Sequence, residues 1–515
     1  MAPDSRRTSK RWITIRKTVQ YLVLAGFFVL FIAARKGGWS GNVVNIFMRL
    51  DPLTTFSHLL ASRTLLVGSA LALTTVVLTV VFGRAWCGWI CPLGTTLDLF
   101  SMGKWQNKKK KDLSERWRSV KYWLLLVILV AALLGNLTLL FLDPLTILLR
   151  TLTVSVWPAF DRIVTAVETV LFPIPILANP ISMLEGFIRP YFLPSEPVFY
   201  RDTVIFALVF FGVIALNLAA PRFWCRYLCP LGGFLGLISK LALFRRVVGE
   251  DCKNCALCDK RCPTGTIDPD RGYTSDPSEC TMCLECLGAC PRSSIQFIPQ
   301  LMPPGWREYD PNRRQALATF GLAVAGVALL QSDLRLKKPD PHFIQPPGGR
   351  DNNLISKCIR CGECARACPT SAIQPAITEA GIAGLWTPTL ILRQGYCDYS
   401  CNACGQACPV QAIPPLSLEE KRLSVIGKAY IDQNRCIAWS DHLDCIVCEE
   451  MCPVSNKAVK LIPTDFTLED GSTVTIKLPE VHRERCIGCG ICEFKCPVVG
   501  ESAIRIYVTD QTILI

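Results

Sequence analysis

Residues 252–263 read CKNCALCDKRCP, and residues 280–291 read CTMCLECLGACP. Both segments space their cysteines as Cys-x2-Cys-x2-Cys-x3-Cys-Pro. Three closely spaced thiolates can hold three corners of a 4Fe-4S cluster, and the fourth cysteine, released by proline, reaches the neighbouring cluster. Zinc sites usually leave a long loop between two cysteine pairs, which this spacing lacks. The predicted ligands of the two clusters are Cys252, Cys255, Cys258 and Cys290 for one, and Cys280, Cys283, Cys286 and Cys262 for the other.

Four more cysteine quartets, each ending in Cys-Pro, occur in the last third of the chain. They are Cys358, Cys361, Cys364, Cys368; Cys397, Cys401, Cys404, Cys408; Cys436, Cys445, Cys448, Cys452; and Cys486, Cys489, Cys492, Cys496. Each quartet predicts a further 4Fe-4S cluster, which makes six. We expect the fourth cysteines to be exchanged between the first and last quartets and between the second and third. Exchange between adjacent quartets would use the same sulfurs and stays open.

The remaining cysteines belong to an internal repeat. Asp51-Pro-Leu-Thr and a later Arg84-x-Trp-Cys-x3-Cys-Pro recur as Asp143-Pro-Leu-Thr and Arg222-x-Trp-Cys-x3-Cys-Pro. Such self-similarity predicts two pseudo-symmetric helical hairpins, with both cysteine pairs at the cytoplasmic surface and both Asp-Pro-Leu segments at the opposite surface. Two cysteine pairs that meet across this axis predict a seventh iron-sulfur site. Its ligands would be Cys87, Cys91, Cys225 and Cys229.

Two other interpretations of these four cysteines stay open: a reducible dithiol pair, or a packing motif at helix ends. Arg84 and Arg222 are candidates to offset the negative charge of a thiolate-bound cluster, although both are also typical anchors at a membrane surface.

Composition predicts a membrane protein. Half of the residues are apolar and the mean hydropathy is +0.32. Apolar stretches of a length that can span a bilayer occur at 18–34, 64–83, 122–142, 203–220 and 315–331. Basic residues cluster at the ends of these stretches, which is the positive-inside pattern. The net charge of +13 therefore predicts membrane topology and no nucleic-acid partner.

The predicted fold class is membrane all-α, two helical hairpins plus a fifth anchor helix, combined with α+β ferredoxin-like 4Fe-4S domains. The expected domains are a four-helix membrane domain at 1–246, a cytoplasmic two-cluster domain at 247–300, a fifth transmembrane helix at 311–335, and an extracytoplasmic four-cluster domain at 345–515. The N-terminus is expected to be a retained anchor in the cytoplasmic membrane. Arg313-Arg314 before the fifth helix is also typical of an export signal.

Other cofactors lack support in the sequence. The four histidines are not paired within a span, and no Cys-x-x-Cys-His occurs, so no haem site is expected. Isolated glycine-rich stretches lack the strand-to-helix setting of a dinucleotide site, and no Walker-type loop is present.

The order of these motifs resembles two families joined end to end. Residues 1 to about 300 resemble the NapH-type membrane ferredoxin, and residues from about 311 resemble the NapG-type exported four-cluster ferredoxin. The resemblance implies a quinol dehydrogenase that takes electrons from the membrane quinone pool. It also implies an extracytoplasmic acceptor, such as a cytochrome or a terminal reductase.

The function expected from the sequence is membrane-bound electron transfer from quinol to an extracytoplasmic redox protein. Asp51 and Asp143 are candidate quinol contacts, because an acid near the outer surface can accept a quinol proton; the alternative is that each only caps a helix. Cytoplasmic and outer clusters lie about 30 Å of hydrocarbon apart, so something must connect them. The rival functions are an accessory reductase for the maturation of a metal centre or disulfide, and a wiring subunit of a larger respiratory complex without its own quinone site.

Overall fold

The computed structural model describes residues 3–34, 41–64, 67–101, 115–193, 198–300, 313–336, 343–377, 379–467 and 473–508. Parts of the predicted spans and domains, such as residues 65–66 and 509–515, lie outside the described residues. The chain forms two compact units. Unit 1 comprises Met1–Phe31, Asn45–Leu152 and Val204–Ala328, and unit 2 comprises Ile32–Val44, Thr153–Thr203 and Leu329–Ile515.

Helices dominate the first part of the chain and become short in the last third. In chain order the described α-helices are α1 Pro3–Ala33, α2 Gly41–Val44, α3 Ile46–Arg49, α4 Pro52–Ser62, α5 Ala70–Phe82, α6 Ala85–Trp89, α7 Pro92–Leu99, α8 Val120–Leu133, α9 Pro144–Thr151, α10 Trp157–Leu171, α11 Pro175–Tyr191, α12 Thr203–Ala215, α13 Pro230–Ser239, α14 Leu257–Arg261, α15 Glu285–Ala289, α16 Arg313–Leu336, α17 Leu354–Lys357, α18 Glu363–Ala367, α19 Ala403–Gln406, α20 Leu418–Leu423, α21 Ile437–Ser440, α22 Val447–Glu450 and α23 Ile491–Lys495.

The described strands form small antiparallel pairs. They are β1 Phe244–Val248, β2 Ile267–Asp268, β3 Thr274–Ser275, β4 Ile295–Pro299, β5 Ile373–Pro375, β6 Pro388–Leu390, β7 Lys428–Ile431, β8 Val459–Thr467, β9 Thr473–Val481 and β10 Ile504–Tyr507. The pairs are β1 with β4, β2 with β3, β5 with β6, β7 with β10 and β8 with β9. The α+β character of the ferredoxin-like domains is therefore present, as predicted.

Each repeat of unit 1 contains two short helices that begin at proline. These helices are α4, α7, α9 and α13, and their N-caps are Asp51, Cys91, Asp143 and Cys229. Proline suits the first helical position, because its fixed φ matches the helix and its missing N–H would have no partner there. The repeat therefore encodes two short helices beside each longer one, which is more elaborate than the predicted pair of simple hairpins.

The apolar helices of unit 1 are shorter than the predicted spans. Glycines with positive φ set two of the ends: α5 stops at Gly83 (φ 68°) and α8 stops just before Gly135 (φ 79°). At 13 and 14 residues these helices measure about 20 Å, against about 30 Å of hydrocarbon. Among the described residues, one helical segment is long and apolar enough to cross a membrane alone, Ser9–Ala33 with 25 residues.

The first Asp-Pro-Leu segment packs against the helix that follows it. The Thr75 hydroxyl, near the middle of α5, donates to the Leu50 carbonyl at 2.7 Å. Asp51 therefore lies beside the middle of α5, and α4 packs on the same helix. The position of both Asp-Pro-Leu segments at the outer membrane surface stays a prediction.

The 247–300 segment is a small module within unit 1. Strands β1 and β4 pair from Phe244↔Pro299 to Val248↔Ile295 and so bring the two ends of the module together. Helices α14 and α15 pack on each other, and each starts inside one cysteine motif. Its core contains Ile267, Tyr273 and Ile295 among the cysteines.

In unit 2, strands β7 and β10 pair around the third and fourth C-terminal quartets. The long segment between Asp143-Pro-Leu-Thr and the predicted span at 203–220 is largely helical, since it contains α10 and α11.

Candidate iron-sulfur sites and a buried carboxyl pair

The 247–300 module brings its two motifs together as the spacing predicts. Cys262 lies close enough to Cys280 and Cys283 to affect the ionisation of both thiols. The other predicted set, Cys252, Cys255, Cys258 and Cys290, lines a cavity of about 370 Å³. The fourth cysteine of each motif thus lies at the neighbouring site.

The backbone of both motifs curls around its sulfurs. Asn254 and Ala256 in the first motif, and Met282 and Leu284 in the second, all have φ between 52° and 62°. Left-handed residues that alternate with helical ones turn successive N–H groups to one side and form an anion-binding concavity. The same strained positions in both motifs fit a negatively charged cluster.

Burial changes the chemistry of these thiols. Burial raises the pKa of Cys280, Cys283 and Cys286 to about 12. Without a metal such thiols would stay protonated, whereas a bound metal takes them as thiolates. Among the described residues, no three or more His, Cys, Asp or Glu side chains are arranged to hold a single metal ion.

The C-terminal quartets exchange ligands with their neighbours in sequence. Cys408 lies beside Cys361 and Cys364, and Cys368 lies beside Cys397 and Cys404. The last two quartets repeat the arrangement. Cys436, Cys445, Cys448 and Cys496 line one pocket, and Cys452 lies near Cys489.

This pairing corrects the expected exchange between the first and last quartets and between the second and third. Helices α18 and α19 pack together in one pair of quartets, and α22 and α23 pack together in the other. Each pair is therefore one compact two-cluster module whose ligands are brought together by a short connection, which costs less loop-closure entropy than pairing distant quartets.

The two C-terminal modules also meet. Between the modules, the Cys397 amide donates to the Cys489 carbonyl at 2.9 Å. Within the second module, Cys492 lies close to Cys448. The four sites of unit 2 thus follow one another in a row. Named by their first cysteines, they lie in the order Cys358, Cys397, Cys486, Cys436.

The four cysteines of the repeat converge in unit 1. All are buried, and Cys229 lies within electrostatic range of Cys225, Cys87 and Cys91. Burial, followed by the neighbouring thiolates, raises the pKa of Cys91 and of Cys229 well above the ordinary value. The predicted juxtaposition of the two Cys-x3-Cys pairs is present.

Two helix N-termini point at this site. Cys91 and Cys229 are the N-caps of α7 and α13, and the Gly232 amide donates to Cys229 Sγ at 3.2 Å. Free amides and the positive end of the helix dipole favour a negative group at this position. A thiolate-bound cluster fits that environment.

The second ferredoxin motif is seated on the first Cys-x3-Cys segment. A Cβ atom added to Gly88 would lie 2.0 Å from the Thr281 carbonyl oxygen, so only glycine allows the two backbones to approach this closely. The Trp89 indole N–H donates to the Met282 carbonyl at 2.9 Å. The sites of Cys280 and Cys87 are therefore direct neighbours.

Buried charges fix this contact. Glu279 accepts from Lys121 Nζ at 2.5 Å and pairs with Arg84 at 3.5 Å. Burial opposes ionisation of Glu279, but Lys121 and then Arg84 outweigh it and lower its pKa. Sequence reasoning found Arg84 and missed Lys121 and Glu279, because nothing in either local pattern pairs residues 158 positions apart.

Arg222 lies between the two cysteine sets. It donates to the Cys87 carbonyl at 3.2 Å, pairs with Asp98, and lies within electrostatic range of both Cys225 and Cys283. Because this contact is inside the protein, Arg222 is more than a surface anchor, and it can offset negative charge at either site.

Asp51 and Asp143 are both helix caps and a contacting pair. Asp51 accepts from the Leu53 amide at 2.8 Å, and Asp143 accepts from the Leu145 amide at 2.9 Å. One oxygen of each carboxyl, Asp51 Oδ2 and Asp143 Oδ1, has no hydrogen-bond partner, and the two carboxyls lie close enough to affect each other's ionisation. Two neighbouring carboxylates disfavour each other's charge, so one shared proton would stabilise the pair. Asp143 also lies within electrostatic range of Cys91.

Family comparisons match the same segments. A 4Fe-4S binding domain model matches residues 64–111 and 203–249, which hold the two Cys-x3-Cys motifs. A 4Fe-4S dicluster domain model matches 357–412, and a further 4Fe-4S binding domain model matches 479–499.

Several curated proteins are similar to this chain. The methylamine utilization ferredoxin-type protein MauM of Methylorubrum extorquens is 31% identical over 38% of this chain and 89% of its own length. The ferredoxin-type protein NapG of Escherichia coli is 33% identical over 36% of this chain and 79% of its own length. The putative electron transport protein YccM of Escherichia coli is 28% identical over 42% of this chain and 52% of its own length. No solved structure matches.

Proposed function

Because this chain belongs to the family of NapG- and MauM-type ferredoxin proteins, we propose that it oxidises quinol in a membrane and passes the electrons to an extracytoplasmic redox partner. The 4Fe-4S domains and the kinship with ferredoxin-type proteins identify iron-sulfur electron transfer as the basic activity. Quinol as donor, the membrane location and the fusion with a NapH-type part are the proposal.

The observation that carries this proposal is the contact between the second ferredoxin motif and the paired Cys-x3-Cys site. When bound, the clusters supply one-electron carriers, while the protein sets their spacing and environment. Unit 1 would hold three clusters in a row. Named by the first cysteine of each site, they are the Cys252, Cys280 and Cys87 clusters. Unit 2 would hold the other four.

The composition of the two units supports the proposed topology. The predicted spans place the loops after the first and third spans, and the C-terminal domain, outside the cytoplasm. Unit 2 gathers Ile32–Val44, Thr153–Thr203 and Leu329–Ile515, which are parts of these three segments, whereas Asn45–Leu152 belongs to unit 1. The cytoplasmic two-cluster module belongs to unit 1.

The carboxyl pair supports quinol as the donor. Quinol oxidation releases protons as well as electrons, so a quinol site needs a proton acceptor. Asp51 and Asp143 are fully buried, and one oxygen of each has no hydrogen-bond partner, so the pair can accept a quinol proton. Because Asp51 lies beside the middle of α5, an electron taken from quinol at this site would cross only part of the membrane.

The end of the row in unit 2 supports an exit to a partner. Around the site of Cys436, the side chains of Leu443, Ile446 and Val499 are exposed. Exposed apolar groups beside a redox site are typical of a docking surface for another protein. A cytochrome or a terminal reductase is the proposed class of partner.

The test is anaerobic stopped-flow reduction of the purified, cluster-counted protein in lipid nanodiscs by menaquinol, followed by absorbance and EPR. We expect rapid reduction that a quinone-site inhibitor blocks. Asp143→Asn, which keeps a capping side chain but loses the acid, should slow reduction by quinol and leave reduction by dithionite unchanged. Full cluster occupancy without any reaction would reject quinol oxidation by this chain alone and favour a wiring subunit. Rapid oxidation by a metal ion without quinol reactivity would favour an accessory reductase.

A further inference from the structure

Helices α10 and α11 form a hairpin within the second repeat, between α9 and α12. At 15 and 17 residues they measure about 23 and 26 Å, which is too short to span about 30 Å of hydrocarbon upright. Neither belongs to an apolar stretch predicted from the sequence. The chain enters the hairpin after α9 and leaves it into α12.

The inner face of this hairpin is polar. Arg189 on α11 reaches across to Glu168 at 2.8 Å and to Asp161 at 3.8 Å, both on α10. It also pairs with Glu185 on its own helix at 2.7 Å and donates to the Thr165 hydroxyl. Four charged side chains of the hairpin, Asp161, Glu168, Glu185 and Arg189, are thus paired with one another, whereas Arg162 on α10 is exposed.

The outer face of the hairpin is apolar. On α10 the exposed apolar side chains recur at helical spacing, at Phe160, Ile163, Val167 and Val170. On α11 they include Ile176, Met183 and Leu184. Val170 is 73% exposed and Ile176 is 85% exposed. A helix in water places its apolar stripe against the protein and its charges outside, so this hairpin is inverted.

We infer that the hairpin α10–α11 lies in the outer leaflet of the bilayer, with the apolar faces of both helices against lipid acyl chains. This inference rests on the membrane location proposed above. Three observations select lipid as the occupant. Four of the five charged side chains are paired with one another, and large apolar side chains are exposed on both helices. The segments before and after the hairpin also lead into α9 and α12. Amphipathic helices of this size commonly lie in the plane of the membrane interface.

The hairpin is also connected to the first cluster site of unit 2. Arg162 lies over the Phe199 ring at 4.7 Å, and Gln374 donates to the Phe199 carbonyl at 2.8 Å. Arg201 pairs with Glu379 at 2.9 Å. The Tyr200 hydroxyl lies 3.5 Å from the carbonyl of Ala365, which is within the first C-terminal quartet. The hairpin therefore serves as a lipid-embedded support that holds the Cys358 site near the outer membrane surface.

Photocrosslinking in the full-length, cluster-loaded protein tests this inference. A diazirine amino acid is placed at Val170 in one variant and at Leu423 in a control, and both are reconstituted in phosphatidylcholine nanodiscs. Leu423 is a fair control because it is apolar and 81% exposed, but lies on α20 in the four-cluster domain. After irradiation, mass spectrometry should show at least tenfold more lipid adduct at Val170 than at Leu423.

Two results would overturn the inference. One is equal lipid labelling at both positions, and the other is crosslinking of Val170 to a second copy of the chain without lipid adducts. The menaquinol assay is independent of this readout. Lipid adducts without quinol reactivity would reject the proposed function and keep the membrane-embedded hairpin, and the reverse pattern would reject the hairpin alone.

Discussion

The 247–300 module and the paired Cys-x3-Cys site both gather four cysteines per cluster, but they do so by different means. The module needs only two neighbouring copies of a twelve-residue motif, and strands β1 and β4 pair at their two outer ends. The repeat site needs two cysteine pairs that lie far apart in sequence. Cys87 and Cys225 are 138 positions apart, and so are Cys91 and Cys229. Local spacing therefore defines the first kind of site, and the tertiary fold of two repeats defines the second.

The largest expected effect distinguishes these two kinds of site. Cys225→Ser should remove the seventh cluster, about four iron atoms per chain, and leave the six ferredoxin-type clusters in place, since none of them takes a ligand from the repeat. Iron analysis and EPR of the reduced protein measure this. Ser101→Cys is the control, because it changes the number of thiols outside the quartets. It should leave the iron content unchanged. An unchanged iron content in Cys225→Ser would show that the four converging cysteines are a dithiol or packing motif.

The next effect concerns the charges that join the two sites. Lys121→Met leaves Glu279 buried with Arg84 as its remaining cation, and breaking a buried pair in this way costs about 3–5 kcal/mol. We expect a lower thermal midpoint and faster hydrogen exchange in residues 278–285. The conservative variant Lys121→Arg keeps a cation beside Glu279 and should lose less stability than Lys121→Met. Equal stability of Lys121→Met and the parent would contradict the role assigned to Lys121.

The smallest effect concerns backbone contact. Gly88→Ala adds a methyl group that would overlap the Thr281 carbonyl, so the ferredoxin motif must shift at a cost of about 1–3 kcal/mol. Gly212→Ala in α12 is the matched control, since a Cβ there meets nothing within 4 Å. The control should be neutral or slightly stabilised, because alanine favours helix. Thermal unfolding and the rate of electron exchange between the two sites should change in Gly88→Ala only.

Part of the fold was predictable because the signals were local. The six quartets follow from spacing, and the duplication follows from self-similarity. The helix ends were less predictable, because apolar content does not show that Gly83 and Gly135 stop the helices early. The hairpin α10–α11 was missed for a related reason: its apolar residues are periodic and not continuous, so a search for apolar spans passes over it.

The exchange between C-terminal quartets shows the same limit. Sixteen sulfurs at similar spacings allow more than one pairing, and the expected one was not the pairing in the structure. Packing of α18 on α19 and of α22 on α23 chose the neighbours. The Asp-Pro-Leu segments are a second case, because a cap sequence identifies the start of a helix but not the segments that pack beside it.

The sequence by itself determined which cysteines are candidates to bind iron, because a cluster needs several thiolates within a few residues and that requirement is visible in the chain. It also determined that two repeats exist and that Asp51 and Asp143 begin helices, since proline and a capping acid act locally. Only the tertiary structure decided which cysteines become neighbours, that Glu279 joins the ferredoxin motif to Lys121 and Arg84, and that two caps form one carboxyl pair. These arrangements depend on contacts between residues far apart in sequence, and such contacts leave no local pattern to find.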